Sequence, residues 1–163
     1  MQEIKIKVSM KVGNMYEFLL RHSYKGVAGI IGVGFSLLAL VYLCMNFGTL
    51  SDGKRVLLTF GALLFTVINP ILIFFNATKQ VKLNPTFKDE LDYVLTEEEI
   101  KVIQKGQELA LPWSEVQTVV ETKRSIIIYL SKVRAFILPK DAMKEDTMKV
   151  RELAKSKGFL QKK

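Results

Sequence analysis

Two apolar stretches decide the fold of this chain: residues 26–47, GVAGIIGVGFSLLALVYLCMNF, and residues 56–76, VLLTFGALLFTVINPILIFFN. Neither stretch contains an Asp, Glu, Lys, Arg or His side chain over its 22 and 21 residues. A helix of about 20 apolar residues spans the roughly 30 Å hydrocarbon core of a bilayer. The pattern predicts a transmembrane hairpin over residues 26–83, whose second helix continues past the lipid to residue 83. There Asn84-Pro85 stops it.

Basic residues surround this hairpin, and the chain carries a formal net charge of +8. In a protein with two spans, anionic lipid is a simpler partner for this charge than nucleic acid, so we expect a lipid bilayer and no nucleic acid. Five positive residues flank the outer ends of the hairpin, namely Lys11, Arg21, Lys25, Lys79 and Lys82, against Lys54 and Arg55 in the connection. The positive-inside rule then predicts a multi-pass cell-membrane protein with both termini cytoplasmic.

The arm before the hairpin, residues 1–25, has two patterns. Residues 3–8 alternate between polar and apolar, which predicts a strand. Because a lone strand is unstable, we expect it to add an edge strand to a sheet formed later in the chain. An apolar stripe follows at helical spacing, formed by Val12, Met15, Tyr16, Leu19 and Leu20. This amphipathic helix either lies in the membrane interface or packs on the later domain.

Small residues recur on one face of the first span. Ala28, Gly32 and Ser36 lie four residues apart, and Gly61 and Ala62 are placed to face them from the second span. Small side chains let helix backbones approach closely in lipid. We favour packing within the hairpin over a dimer interface between two copies of the chain.

The second span contains Asn69-Pro70. Proline removes a backbone donor and clashes with the preceding turn, so a kink is expected here. Intramembrane polar residues also occur along transport paths, but those paths use ionisable groups, which neither span contains.

After Pro85 the apolar pattern becomes short and strand-like. It predicts five or six strands between residues 91 and 138 and a helix over residues 141–157 that ends at Gly158. We therefore predict a membrane α+β protein, in which the hairpin is joined to a cytoplasmic antiparallel β-sandwich or barrel, residues 84–163. The sheet is closed by the C-terminal helix and has a pleckstrin-homology-like (PH-like) outline.

Three stretches carry a resemblance to a known family: residues 93–100 (YVLTEEEI), 111–116 (LPWSEV) and 135–140 (AFILPK). Their order behind a two-span hairpin resembles the YcxB-like family of small bacterial membrane proteins. The resemblance implies the architecture of the chain and leaves its activity open.

Few residues offer catalytic or ligand chemistry. The single histidine, His22, and the single cysteine, Cys44, lie beside or within the first span, and no His/Cys/Asp/Glu set has metal-ligand spacing. We therefore expect no enzyme activity, no metal and no cofactor. Lys123 and Arg124 share one predicted hairpin turn and are the candidate contacts for an anion or a lipid head group. Ordinary solvated turn residues are the competing interpretation.

These observations favour a membrane-anchored, non-catalytic interaction or regulatory module at the inner membrane surface. Its PH-like domain is expected to bind a protein segment or a lipid head group. The alternative is a small transporter or a subunit of a membrane transport complex. A protein partner and a homo-oligomer both remain open.

Overall fold

The computed structural model describes residues 3–131 and 134–160, which form two compact units. One unit, Tyr16–Lys79, is helical. The other combines Met1–Met15 with Gln80–Lys163 and contains two antiparallel sheets and a C-terminal helix. The helical unit is therefore an insertion within the sheet unit.

The helical unit contains two long apolar helices. Helix α1 (Val12–Lys25) begins in the sheet unit and leads into α2 (Val27–Asn46). After a short connection, one continuous helix runs from Asp52 to Leu83 as α3 (Asp52–Leu63), a π-helical turn (Leu64–Ile68) and α4 (Asn69–Leu83).

This second helix begins four residues before the predicted start at residue 56. Its extra turn is polar, and Arg55 closes it by donating hydrogen bonds to the Asp52 carboxylate at 3.1 Å and to the Phe47 carbonyl at 3.0 Å. An acidic residue is favourable at the positive end of a helix dipole. The prediction placed the start of the helix at the first residue of the apolar run, so it did not include this polar turn.

The first sheet has the strand order β1-β2-β3-β4, formed by β1 (Ile4–Val8), β2 (Leu91–Leu95), β3 (Glu99–Gln104) and β4 (Gln107–Pro112). The predicted edge strand is confirmed, because β1 pairs with β2 in antiparallel register with Ile6 opposite Tyr93. Its three apolar side chains are buried, whereas Lys5 and Lys7 are exposed.

The second sheet has the order β5-β6-β7, from β5 (Thr118–Glu121), β6 (Ser125–Tyr129) and β7 (Ala135–Pro139). The barrel alternative is wrong: in the described ranges no strand of one sheet pairs with a strand of the other. The chain leaves the first sheet at Pro112 through a 3-10 turn, Trp113–Glu115. Trp113 is buried there, with its indole N–H donating to the Thr96 carbonyl at 2.9 Å.

The predicted C-terminal helix is divided in two. Its two parts, α6 (Lys140–Met143) and α7 (Asp146–Ser156), follow β7. A separate short helix, α5 (Pro85–Lys88), precedes β2. Lys144 separates α6 from α7 with a positive φ of 50°. Gly158 ends the helical segment with a φ of 78°, a conformation that glycine adopts without steric cost.

Candidate functional site

A cavity of about 400 Å³ in the sheet unit contains one of the two predicted anion contacts, Arg124. We call it the basic cavity, and its lining residues are Lys11, Gly13, Asn14, Arg124, Lys140 and Asp141. They come from the start of α1, the β5–β6 turn and the start of α6. Three positive side chains therefore converge from segments far apart in the sequence.

Local hydrogen bonds place the β5–β6 turn at this cavity. The Thr122 hydroxyl donates to the Ser125 carbonyl and accepts from the Ser125 backbone N–H, both at 2.9 Å. The Arg124 carbonyl accepts the Lys140 N–H at 2.8 Å, which joins the turn to α6. The buried Asn14 amide donates to the Ser125 hydroxyl at 3.5 Å, a long bond that places the first turn of α1 against β6.

Gly13 leaves room for the arginine. A Cβ atom at this position would lie 3.1 Å from Nη1 of Arg124, closer than most side-chain contacts. The absence of a side chain therefore lets the guanidinium approach the first turn of α1. The positive end of the helix dipole also lies at this turn and favours anions.

Two of the three cations are already paired. Lys11 binds Asp141, and this hydrogen-bonded ion pair lowers the pKa of the Asp141 carboxyl. Lys140 lies 2.6 Å from the Glu121 carboxylate, which also accepts two hydrogen bonds from Arg151. The Arg151 hydrogen bonds, followed by the contribution of Lys140, lower the pKa of Glu121 to about 2.

Arg124 differs from the other two cations. Among the described residues it has no ion-pair partner, and its side chain is exposed. Three cations and one carboxylate line the cavity, which leaves an excess of two positive charges, and adding the neighbouring pair Glu121–Arg151 does not change this excess. Such a site offers modest electrostatic attraction to an anion, and salt screens it.

Sequence reasoning missed most of this site. Lys123 is exposed and does not line the cavity, so the structure separates the two predicted contacts. Lys11, Asn14 and Lys140 were not predicted, because nothing in the linear pattern places residue 11 beside residues 124 and 140.

The helical unit has its own polar contacts at the predicted packing face. Ser36 is fully buried, donates to the Gly61 carbonyl at 2.8 Å and accepts from the Phe65 N–H at 3.2 Å. The Phe65 ring lies against Gly32, where no side chain fits. Ala62 is buried as well, whereas Ala28 is exposed. Its neighbour Gly29 is buried instead.

The π-helical turn lies immediately before the predicted kink at Asn69 and Pro70. The Asn69 N–H donates to the Leu64 carbonyl, five residues back. In the same register the Phe65 carbonyl would require a donor at residue 70, where proline has none. The Tyr24 hydroxyl donates to this carbonyl instead, and the Asn69 amide donates to Tyr24 at 3.2 Å.

Among residues 3–131 and 134–160, no group of three or more His, Cys, Asp or Glu side chains is placed to hold a metal ion. The His22 ring stacks against Phe18 with their centroids 6.1 Å apart.

These features define a class of protein: a two-sheet antiparallel unit with a C-terminal helix, interrupted after its first strand by two long apolar helices. Within the sheet unit, residues 95–153 match the family model of YcxB-like protein. This match confirms the resemblance that the sequence motifs indicated. No curated protein and no solved structure matches the chain.

Proposed function

We propose that the chain is a membrane-anchored, non-catalytic interaction or regulatory module. In this proposal its PH-like sheet unit binds an anionic group of a lipid head group or protein segment at the inner membrane surface. The observation that carries it is the insertion of two long apolar helices between β1 and β2 of a unit with a basic cavity.

The exposure of the two helices supports anchoring in a membrane. In their most apolar windows, 28% of the residues of α2 and 6% of those of the Asp52–Leu83 helix are buried. Core helices of a soluble protein bury an apolar stripe, whereas these helices expose large apolar side chains such as Ile30, Leu38, Leu57 and Phe75. A bilayer is the environment that solvates such surfaces.

The element order supports the PH-like assignment. A four-stranded antiparallel sheet, a three-stranded antiparallel sheet and a C-terminal helix follow one another once the inserted helices are left out. Val119 contacts the chain beyond α7, since its N–H donates to the Phe159 carbonyl at 2.9 Å. The C-terminal segment therefore closes onto the second sheet, as such a fold requires.

Anion binding at the basic cavity can be tested with the full-length protein in nanodiscs of neutral lipid, titrated with inorganic phosphate and with a short-chain phosphatidic acid. We expect weak binding that about 0.3 M salt abolishes, because screening at this ionic strength is strong. Arg124→Ala should weaken it several-fold. Lys123→Ala is the matched control, since it removes a cation from the same turn but outside the cavity.

Equal effects of the two substitutions, or no binding at low salt, would contradict anion recognition by this cavity. Micromolar, head-group-selective binding that survives salt would contradict the weak affinity proposed here. It would make lipid recognition the primary function.

The alternative function, a small transporter or a transport subunit, has less support. The polar groups at the centre of the helical unit, Ser36, Tyr24 and Asn69, are engaged in hydrogen bonds between helices. They therefore hold the hairpin together rather than face a path.

A further inference from the structure

A second cavity, about 740 Å³ in volume, lies between the two sheets of the sheet unit. We call it the apolar cavity. Tyr93, Val102 and Leu109 line it from the first sheet, Phe136 lines it from β7, and Phe87 lines it from α5. Its volume falls within the range of about 300–1,000 Å³ that is usual for small-molecule sites.

The strand register explains why the cavity is open. Tyr93 pairs with Val102, and Val102 pairs with Leu109, so the three side chains share one face of the sheet. Tyr93 is 4% exposed and Val102 9%, but Leu109 is 46% exposed. This face is therefore covered at Tyr93 and Val102 but open at Leu109, on the edge strand β4.

Tyr93 brings a polar group to this apolar surface. Its ring packs edge-to-face on Phe136 with the centroids 5.7 Å apart. Within residues 3–131 and 134–160 its hydroxyl has no hydrogen-bond partner. Nothing among the described residues competes for this hydroxyl, so it is available to donate a hydrogen bond to a ligand atom in the cavity, and that bond adds to the affinity of the ligand. Burial raises the pKa of Tyr93 and keeps the hydroxyl protonated as a donor.

The remaining polar groups of the cavity determine the charge of a ligand. Among the described residues of the lining, Glu108 is the one that carries a charge, and its carboxylate lies 3.3 Å from the Lys101 amine. The Gln104 amide is engaged with the Thr86 carbonyl at 2.7 Å. Because the described part of the lining offers no cation, a carboxylate or phosphate would lose its hydration there without compensation.

We propose that the apolar cavity binds a neutral amphipathic small molecule. Its apolar chain packs along Val102, Leu109 and Phe136, and its alcohol, ester or amide oxygen accepts a hydrogen bond from the Tyr93 hydroxyl. This site shares no lining residue with the basic cavity, so it is independent of the anion binding proposed above.

The test uses the full-length protein in lipid nanodiscs and a photoreactive diazirine analogue of 1-octanol, with labelled residues identified by mass spectrometry. We expect saturable labelling of peptides from β2, β4 and β7 that unlabelled 1-octanol displaces. Leu109→Trp should abolish it by filling the cavity. Met148→Trp is the matched control, because Met148 is a 62% exposed apolar residue outside the lining.

Tyr93→Phe separates binding from folding. Half-saturation should require about five-fold more probe, as expected for one lost hydrogen bond. The unfolding midpoint should not fall, since the hydroxyl has no partner among the described residues. The proposal is overturned if Leu109→Trp labels like the unmodified protein or if Tyr93→Phe leaves the half-saturation unchanged. Labelling confined to the helices Val27–Asn46 and Asp52–Leu83 would overturn it as well.

Discussion

Glu121 shows at the scale of single residues how one carboxylate joins distant parts of the sheet unit. It lies on β5 and is 23% exposed, and it binds Lys140 of α6 and Arg151 of α7. Because its folded-state pKa is lowered from 4.5 to about 2, its stabilising effect is fully present above about pH 4.5. As the pH falls from there towards 2, protonation removes this contribution.

We therefore expect Glu121→Gln to lower the free energy of unfolding by about 2 kcal/mol at pH 7 and to flatten its pH dependence between pH 4.5 and 2. Fluorescence of Trp113, the one tryptophan of the chain, reports on this unit during denaturation. Glu115→Gln is the control, since Glu115 is exposed and has no ion pair in the described ranges. Equal losses in both variants would contradict this role.

At the scale of elements, β1 joins the N-terminal arm to a sheet whose other strands follow the inserted helices. Ile6 is 2% exposed and lies opposite Tyr93, although 82 residues of inserted chain separate the facing ends Val8 and Leu91. A segment limited to residues 84–163 would leave the edge of β2 that pairs with β1 open and would remove the buried side chains of Ile4, Ile6 and Val8 from the core. We therefore expect the sheet unit to need the N-terminal arm for stable folding.

Ile6→Ala should lower the free energy of unfolding of the sheet unit by about 3 kcal/mol, because it removes a fully packed side chain. Lys7→Ala, in the same strand but exposed, should change it by less than about 0.5 kcal/mol. Trp113 fluorescence during denaturation again measures both. A small loss for Ile6→Ala would mean that β1 contributes little to the core.

At the scale of the whole molecule, strand pairing constrains membrane topology more strongly than the charge bias does. β1 precedes the apolar helices, β2 follows them, and the two strands pair in one sheet. If the helices cross a bilayer, both ends of the hairpin must therefore lie on the same side. For that side, the positive-inside rule applied to lysine and arginine predicts the cytoplasm.

In a Cys44→Ala background, we expect Ser51→Cys to react with a membrane-impermeant maleimide in intact cells. Ser156→Cys should react only after permeabilisation. Ser51 lies in the connection between the apolar helices, and Ser156 ends α7. Labelling of Ser156→Cys in intact cells would contradict the predicted orientation.

Local periodicity by itself determined several features of this protein. The absence of charge over residues 26–47 and 56–76 predicted the two apolar helices, and the alternation of residues 3–8 predicted the strand β1. The Asn84-Pro85 pair marked the end of α4, and Gly158 marked the end of α7. These signals are readable because each depends on neighbouring residues only.

The tertiary structure alone decided which residues share a site. It divided the strands into two sheets at Trp113, placed Lys11 beside Arg124 and Asp141, and left Leu109 uncovered on an inward face. A period of two residues shows which side chains share a face, but not what packs against that face. Sites built from residues more than a hundred positions apart depend on that packing, so a linear pattern does not contain them.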